Sequence, residues 1–283
     1  MAIRMAGKEI AEHLNEATAK EIEALLERGI TPTLAAIRVG ERPDAISYEN
    51  STIKWLGKLN IACETFHYDE NIDKKIFLEE IEKINNMPNI HGMLLFRPIP
   101  KELDGKEVEY AISPIKDIDG MNPLNFGKVC VEDESGHAPC TAEAVMEILK
   151  FHNIETSGKK AVVLGRSMVI GKPAAMLLIN ANATVTVCHS RTKDLPSVCA
   201  DADILVAAIG KAGFVSADYI KEGAVVIDVG INVLESGKVT GDVDYEAAEP
   251  KCSYITPVPG GVGSVTNAVL ARHIVKAAKL LNK

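Results

Sequence analysis

The residues of this chain best suited to chemistry lie at the ends of short apolar runs. KKAVVLGRSMVIGKPAAMLLI, residues 159–179, has the order strand, glycine-containing turn, helix. Gly165 at the strand end and Gly171 at the helix start let the backbone approach a pyrophosphate, which the positive end of the helix then stabilises. Pro173 suits the first helical turn. The spacing is not GxGxxG, and an ordinary strand-to-helix connection shares the pattern. The next strand ends in CHSRT, with Ser190 and Arg191 where an NAD site carries an acid for the ribose 2′-hydroxyl. A carboxylate there would repel a 2′-phosphate, whereas hydroxyl and guanidinium groups bind one, and Arg166 in the first turn can reach the same group. NADP is therefore preferred, with NAD kept as the alternative. AAIGKAG and IDVGIN place Gly210 and Gly230 just past strand ends, and PVPGGVGS puts Gly260, Gly261 and Gly263 in a loop before the last helix. Strand ends are where open α/β sheets bind ligands.

The elements that must carry these turns are legible in the apolar spacing. Helices are predicted over 8–28, 44–59, 74–84 and 265–281, and strands over 33–39, 61–66, 90–96, 161–164, 184–188, 204–209, 225–229 and 253–256. Thr141 is predicted to cap a helix running from 142. Residues 98–139 are dense in Pro, Gly, Asp and Asn and break the pattern, so the domain junction is placed there. The fold class is α/β, with an N-terminal domain over 1–139 and a doubly wound, Rossmann-type domain over 140–264.

The 283 residues carry a formal charge of −8, which argues against a nonspecific binder of nucleic acid or of a membrane surface. Apolar and charged residues interleave at the N-terminus, and no apolar run approaches the roughly 20 residues of a membrane span, so a cytoplasmic protein is expected. The six cysteines form no CxxC pair and have no histidine at ligand spacing, which predicts no metal site and buried free thiols.

KDIDG, PCT, GRSMVIGKP, TVTVCHSRT, GDV and TPVPGGVGSVT occur in this order along the chain, which thereby resembles the methylenetetrahydrofolate dehydrogenase/cyclohydrolase family nearly end to end. The resemblance implies a folate-binding N-terminal domain completed by the C-terminal helix 265–283, an NADP-type Rossmann domain, a cleft between them and a homodimer. By the same analogy Asp119 holds the pterin, its carboxylate accepting from a ring N–H and the exocyclic amine together. On residues alone, Asp119 is also a good turn former before Gly120. Tyr48, Pro259, Gly260 and Gly261 fall at folate positions, and Arg166, Ser167, Ser190 and Ile231 at cofactor positions.

Bifunctional members of that family carry Tyr-x-x-x-Lys, which puts both side chains on one helix face. Here the segment is YENST, so Thr52 stands for the Lys, and Lys54 lies about 120° from Tyr48 around the helix. A family Gln before the strand-end prolines is replaced by Phe96 in LFRPIP, and Ser264 replaces a Pro. Hydride transfer from the methylene bridge needs alignment rather than a protein base. Adding water to the methenyl carbon needs groups that orient water and move protons. The expectation is thus a dehydrogenase with weak or absent cyclohydrolase activity. The alternatives are the full two-step enzyme, an NADP-dependent reductase of another small substrate, and a silent folate- or nucleotide-binding protein.

Overall fold

The structure, a computed structural model, describes residues 2–283. In chain order the elements are β1 (Ile3–Arg4), α1 (Gly7–Glu27), β2 (Thr33–Val39), α2 (Pro43–Gly57), β3 (Ala62–Tyr68), α3 (Lys74–Asn85), β4 (Gly92–Leu95), α4 (Lys106–Ala111) and α5 (Pro123–Cys130). There follow α6 (Cys140–Phe151), β5 (Lys160–Leu164), α7 (Gly171–Asn180), β6 (Thr184–Cys188), α8 (Leu195–Cys199), β7 (Ile204–Ala207) and β8 (Ala224–Asp228). The last are β9 (Asn232–Val233), β10 (Val239–Thr240), α9 (Tyr245–Ala248), β11 (Cys252–Ile255) and α10 (Val262–Leu281). They make two compact units, one of residues up to 13 with 139–269, the other of 14–138 with 270–283.

The unit built on 14–138 has a three-stranded parallel sheet in the order β3-β2-β4. Every residue of β2 is buried, as a central parallel strand covered on both faces requires. Ile37, Phe77, Ile81, Ile90 and Met93 form its core with Leu103 and Val108. Helix α2 buries Ala45, Glu49, Thr52 and Leu56, one stripe at helical spacing. Glu49 is a charge in that stripe because it has partners: Arg38 Nε of β2 at 2.7 Å and His67 Nε2 of β3 at 2.6 Å. Removing either the carboxylate or Arg38 would strand a buried charge, a loss of roughly 3–5 kcal/mol, so this pairing fixes how α2 docks.

The other unit has a six-stranded sheet, β1-β11-β8-β7-β5-β6, with every pair parallel. The order runs outward from β5 in both directions, so the topological switch lies between β5 and β7, where open α/β sheets bind ligands. Val162, Leu164, Leu205, Val226 and Ile255 lie in the core under it.

Four differences from the sequence reading have physical causes. The segment 98–139 holds α4 and α5, and α5 was signalled by Asn122, whose Oδ1 accepts the Leu124 N–H at 2.9 Å, followed by Pro123 at the first helical position. Thr141 is not a cap, because α6 already begins at Cys140 after Pro139. The first 13 residues group with 139–269 rather than with the N-terminal domain, since Ile3 pairs with Tyr254 and Arg4 with Ile255. Helix α10 begins at Val262, and only its part from Leu270 groups with 14–138. All six cysteines are free, but Cys130 is exposed and Cys63 half-buried. No described helix is long and apolar enough to cross a membrane.

Candidate functional site

The strand-end turn of β5 is built by close backbone contact. Gly165 has φ of +132°, and a Cβ there would lie 2.2 Å from the Ala208 carbonyl oxygen at the end of β7. Only glycine lets the two strand ends meet at the switch point. Helix α7 then opens at Gly171, with the Ser167 hydroxyl oxygen accepting the Ile170 N–H at 3.1 Å. Beside this turn lies a cavity of about 310 Å³. Its floor is apolar, from Leu164, Leu195, Ala208, Ile209 and Phe214; its polar lining is Arg166, Ser167, His189, Ser190 and Lys211. The Lys211 ammonium sits 5.5 Å from the Phe214 ring centre, within cation–π range. No carboxylate lines the cavity, although acids outnumber bases in the whole chain. An apolar floor with a cationic, hydroxyl-bearing rim suits a phosphorylated nucleoside.

Of the residues expected at the cofactor, the structure gathers Gly165, Arg166, Ser167 and Ser190 on this cavity. Gly171, Arg191, Gly210 and Ile231 are not among its lining residues. The segment 189–192 closes on itself: Arg191 N–H donates to His189 Nδ1 at 3.2 Å, and His189 N–H to Thr192 Oγ1 at 2.9 Å. His189 lines the cavity and Arg191 does not. Ile231 is 68% exposed. His189 and Lys211 were missed by the sequence reading, although each adjoins a residue it named.

Two buried carboxylates stand behind the strand ends. Asp228 accepts the N–H groups of Gly230, Asp242 and Val243 at 2.9, 3.0 and 2.9 Å. Asp242 accepts those of Ile209, Gly210 and Lys211 at 2.6, 2.9 and 2.7 Å and the Asn232 amide at 3.0 Å. Burial pushes the Asp228 carboxyl up to about 6 despite its three donors. That is above the unfolded value of about 3.9, so between about pH 4 and 6 the folded chain holds the extra proton. Stability contributed by this group accordingly falls as pH rises through that window, by on the order of 2–3 kcal/mol. Urea unfolding of Asp228→Asn is expected to show a flatter dependence from pH 4.5 to 7 than the parent; an unchanged slope would assign the window to other groups.

In the other unit, Asp119 is half-buried on a turn held by its neighbours. Lys116 Nζ donates to the carbonyls of Asn85 and Met87 at 2.7 Å each and of Ile84 at 3.3 Å, a cation on the C-terminal end of α3. Asp117 accepts the N–H groups of Met121 and Asn122 at 3.1 and 2.7 Å and the Asn125 amide at 2.9 Å. Burial raises the Asp117 carboxyl, and those donors oppose the shift. From α10, His273 Nδ1 meets the Ile118 carbonyl at 2.7 Å.

Tyr48, half exposed on α2, meets Phe96 edge to face with ring centres 5.4 Å apart. Phe96 is 2% exposed and Thr52 7%, and neither side chain has a group that ionises near neutrality. Lys54 is exposed and does not take the place of Thr52. Pro259 and Gly260 are exposed and Gly261 buried, in the unit of the six-stranded sheet, where the Gly260 carbonyl accepts the Gly7 N–H at 2.8 Å.

Residues 5–119 match the family model of the tetrahydrofolate dehydrogenase/cyclohydrolase catalytic domain, and residues 139–282 that of the NAD(P)-binding domain of the same proteins. A bifunctional protein FolD of Alkaliphilus oremlandii (strain OhILAs) is 53% identical over 274 residues, 97% of this chain and 96% of the relative. Among solved structures, the bifunctional FolD methylenetetrahydrofolate dehydrogenase/cyclohydrolase of Campylobacter jejuni superposes with a TM-score of 0.96 at 40% identity, covering 99% of each chain. The Trypanosoma brucei methylenetetrahydrofolate dehydrogenase-cyclohydrolase, solved with NADP and an inhibitor, gives 0.91 at 33% identity, over 99% of this chain and 98% of that one. With matches of this extent at both domains, the chain belongs to the tetrahydrofolate dehydrogenase/cyclohydrolase family.

Proposed function

We propose that this chain oxidises 5,10-methylenetetrahydrofolate to the methenyl form with NADP and then hydrolyses that product to 10-formyltetrahydrofolate, as a cytoplasmic homodimer. The observation that carries the nucleotide half is the carboxylate-free cavity at the β5 turn, with Arg166, Ser190 and Lys211 on its rim. The names of full-length relatives support the two-step reading over a dehydrogenase alone.

Bound NADP would supply the hydride acceptor. Arg166 and Ser190 bind the 2′-phosphate, and the β5 turn with the start of α7 takes the diphosphate. Asp119 fixes the pterin through two hydrogen bonds, while Tyr48 and Phe96 of the same unit line the folate. The folate nitrogens stabilise the cation left when hydride departs, so in that step the residues position the folate rather than abstract a proton.

A second reading, a dehydrogenase with little hydrolase activity, is favoured by one observation: Thr52 and Phe96, which replace the family Lys and Gln, are buried and carry no titratable group. Assaying NADPH and formyl product from one reaction separates the two readings. The same assay with NAD tests the phosphate site. Arg166→Ala is expected to lower kcat/KM for NADP by about 10–100-fold, the worth of a hydrogen bond to a charged group, and to leave the NAD value nearly unchanged. Equal losses with both nucleotides would remove Arg166 from the phosphate.

A further inference from the structure

We propose that Asp242 is a positioning residue for the nucleotide, holding the turns after β7 and β8 in the one arrangement that closes the cavity wall. The proposal rests on the reading that this unit binds NADP. Asp242 is fully buried, and the N–H groups of three successive residues, Ile209, Gly210 and Lys211, converge on its carboxylate at 2.6–2.9 Å. Asn232, which opens β9 directly after the turn that follows β8, donates to the same carboxylate at 3.0 Å. Gly230 leaves room for this: a Cβ there would lie 2.3 Å from the Asp242 carboxyl carbon. Asp228 extends the connection, because it accepts the Asp242 N–H while its own N–H donates to Thr256 Oγ1 at 2.7 Å. One carboxylate thus joins two strand-end turns, and a second ties them to the end of β11.

Successive backbone N–H groups aimed at one point form a nest that ordinarily receives an anion. Here the nest is filled from within, so the 209–211 turn has no N–H left for a phosphate. The diphosphate is left to the β5 turn and α7, and the 209–211 turn meets the nucleoside instead. It does so through Ile209 and Lys211, which line the cavity beside Phe214. Their placement follows from the carboxylate behind them.

Two variants test this. Asn232→Ala removes only the link between the turns and leaves the nest intact. Asp242→Asn keeps an acceptor oxygen but turns an NH₂ group toward the donors. Calorimetry is expected to give an NADP dissociation constant raised several-fold for Asn232→Ala and about tenfold or more for Asp242→Asn. The Tm of nucleotide-free Asn232→Ala should stay within a few degrees of the parent, and kcat at saturating NADP and KM for the folate should change by less than about threefold. An NADP constant unchanged in Asn232→Ala overturns the proposal even if Asp242→Asn does not fold. So does a loss shared equally between NADP and folate. Failure of the parent chain to bind NADP refutes the underlying reading, whereas normal binding by parent and variants alike refutes only the role of Asp242.

Discussion

Asp119→Ala is expected to lower kcat/KM for methylenetetrahydrofolate by at least about a hundredfold while leaving NADP affinity within about twofold. Each hydrogen bond from the pterin to an ionised carboxylate is worth roughly 1.5–3 kcal/mol, and two are lost together. The fold should survive, because the turn is held by Lys116 on the end of α3, by the Asp117 acceptors and by His273 on the Ile118 carbonyl. Asp119→Asn, which keeps one acceptor oxygen, should fall between the parent and the alanine variant. Steady-state kinetics beside a thermal melt decide the matter. A loss that tracks a fall in Tm, or a kcat/KM unchanged from the parent, would take Asp119 out of the pterin site.

The second large effect concerns Thr52 and Phe96. On the two-step reading, introducing Thr52→Lys and Phe96→Gln together leaves formyl product formation relative to NADPH formation within a few-fold of the parent; on the dehydrogenase-only reading it raises that ratio, up to the 10²–10⁴-fold that positioned proton-transfer groups supply. Thr52 lies four residues from Tyr48, so a lysine there shares the helix face of the tyrosine. Phe96→Gln removes the edge-to-face contact with Tyr48 and puts hydrogen-bonding capacity in its place. Both positions are buried, so each single variant and its melting temperature belong beside the double one. If the parent hydrolyses the methenyl product rapidly and the double variant adds nothing, other groups carry that step and the residues at 52 and 96 are immaterial to it.

Elements whose apolar pattern is set by their own neighbours were read closely from sequence. Strands β2 and β6 fall where short apolar runs of β-formers put them, at 33–39 and 184–188. Helix α5 was missed because its eight residues carry little periodicity, although Asn122 followed by Pro123 announces its start. The grouping of residues 2–13 with the six-stranded sheet depends on pairing with residues near 255, a long-range contact that no local pattern encodes. At the site, the glycine at 165 was readable because the turn demands it, whereas His189 in place of Arg191 on the cavity depends on side-chain directions that local spacing does not encode. Asp242 was visible only as part of a motif. Its three donors come from a turn some thirty residues earlier, and sequence spacing gives no hint of that convergence.

The pairing of β1 with β11 also orders events during synthesis. Ile3 and Arg4 leave the ribosome long before Tyr254 and Ile255, the residues whose outer edge they cover. Until β11 emerges and seats against β8, that edge of the sheet cannot be closed, and an uncovered strand edge is a template for pairing with other chains. Strand β1 is therefore made before the strand it pairs with and waits for β11 before it can take its place in the sheet.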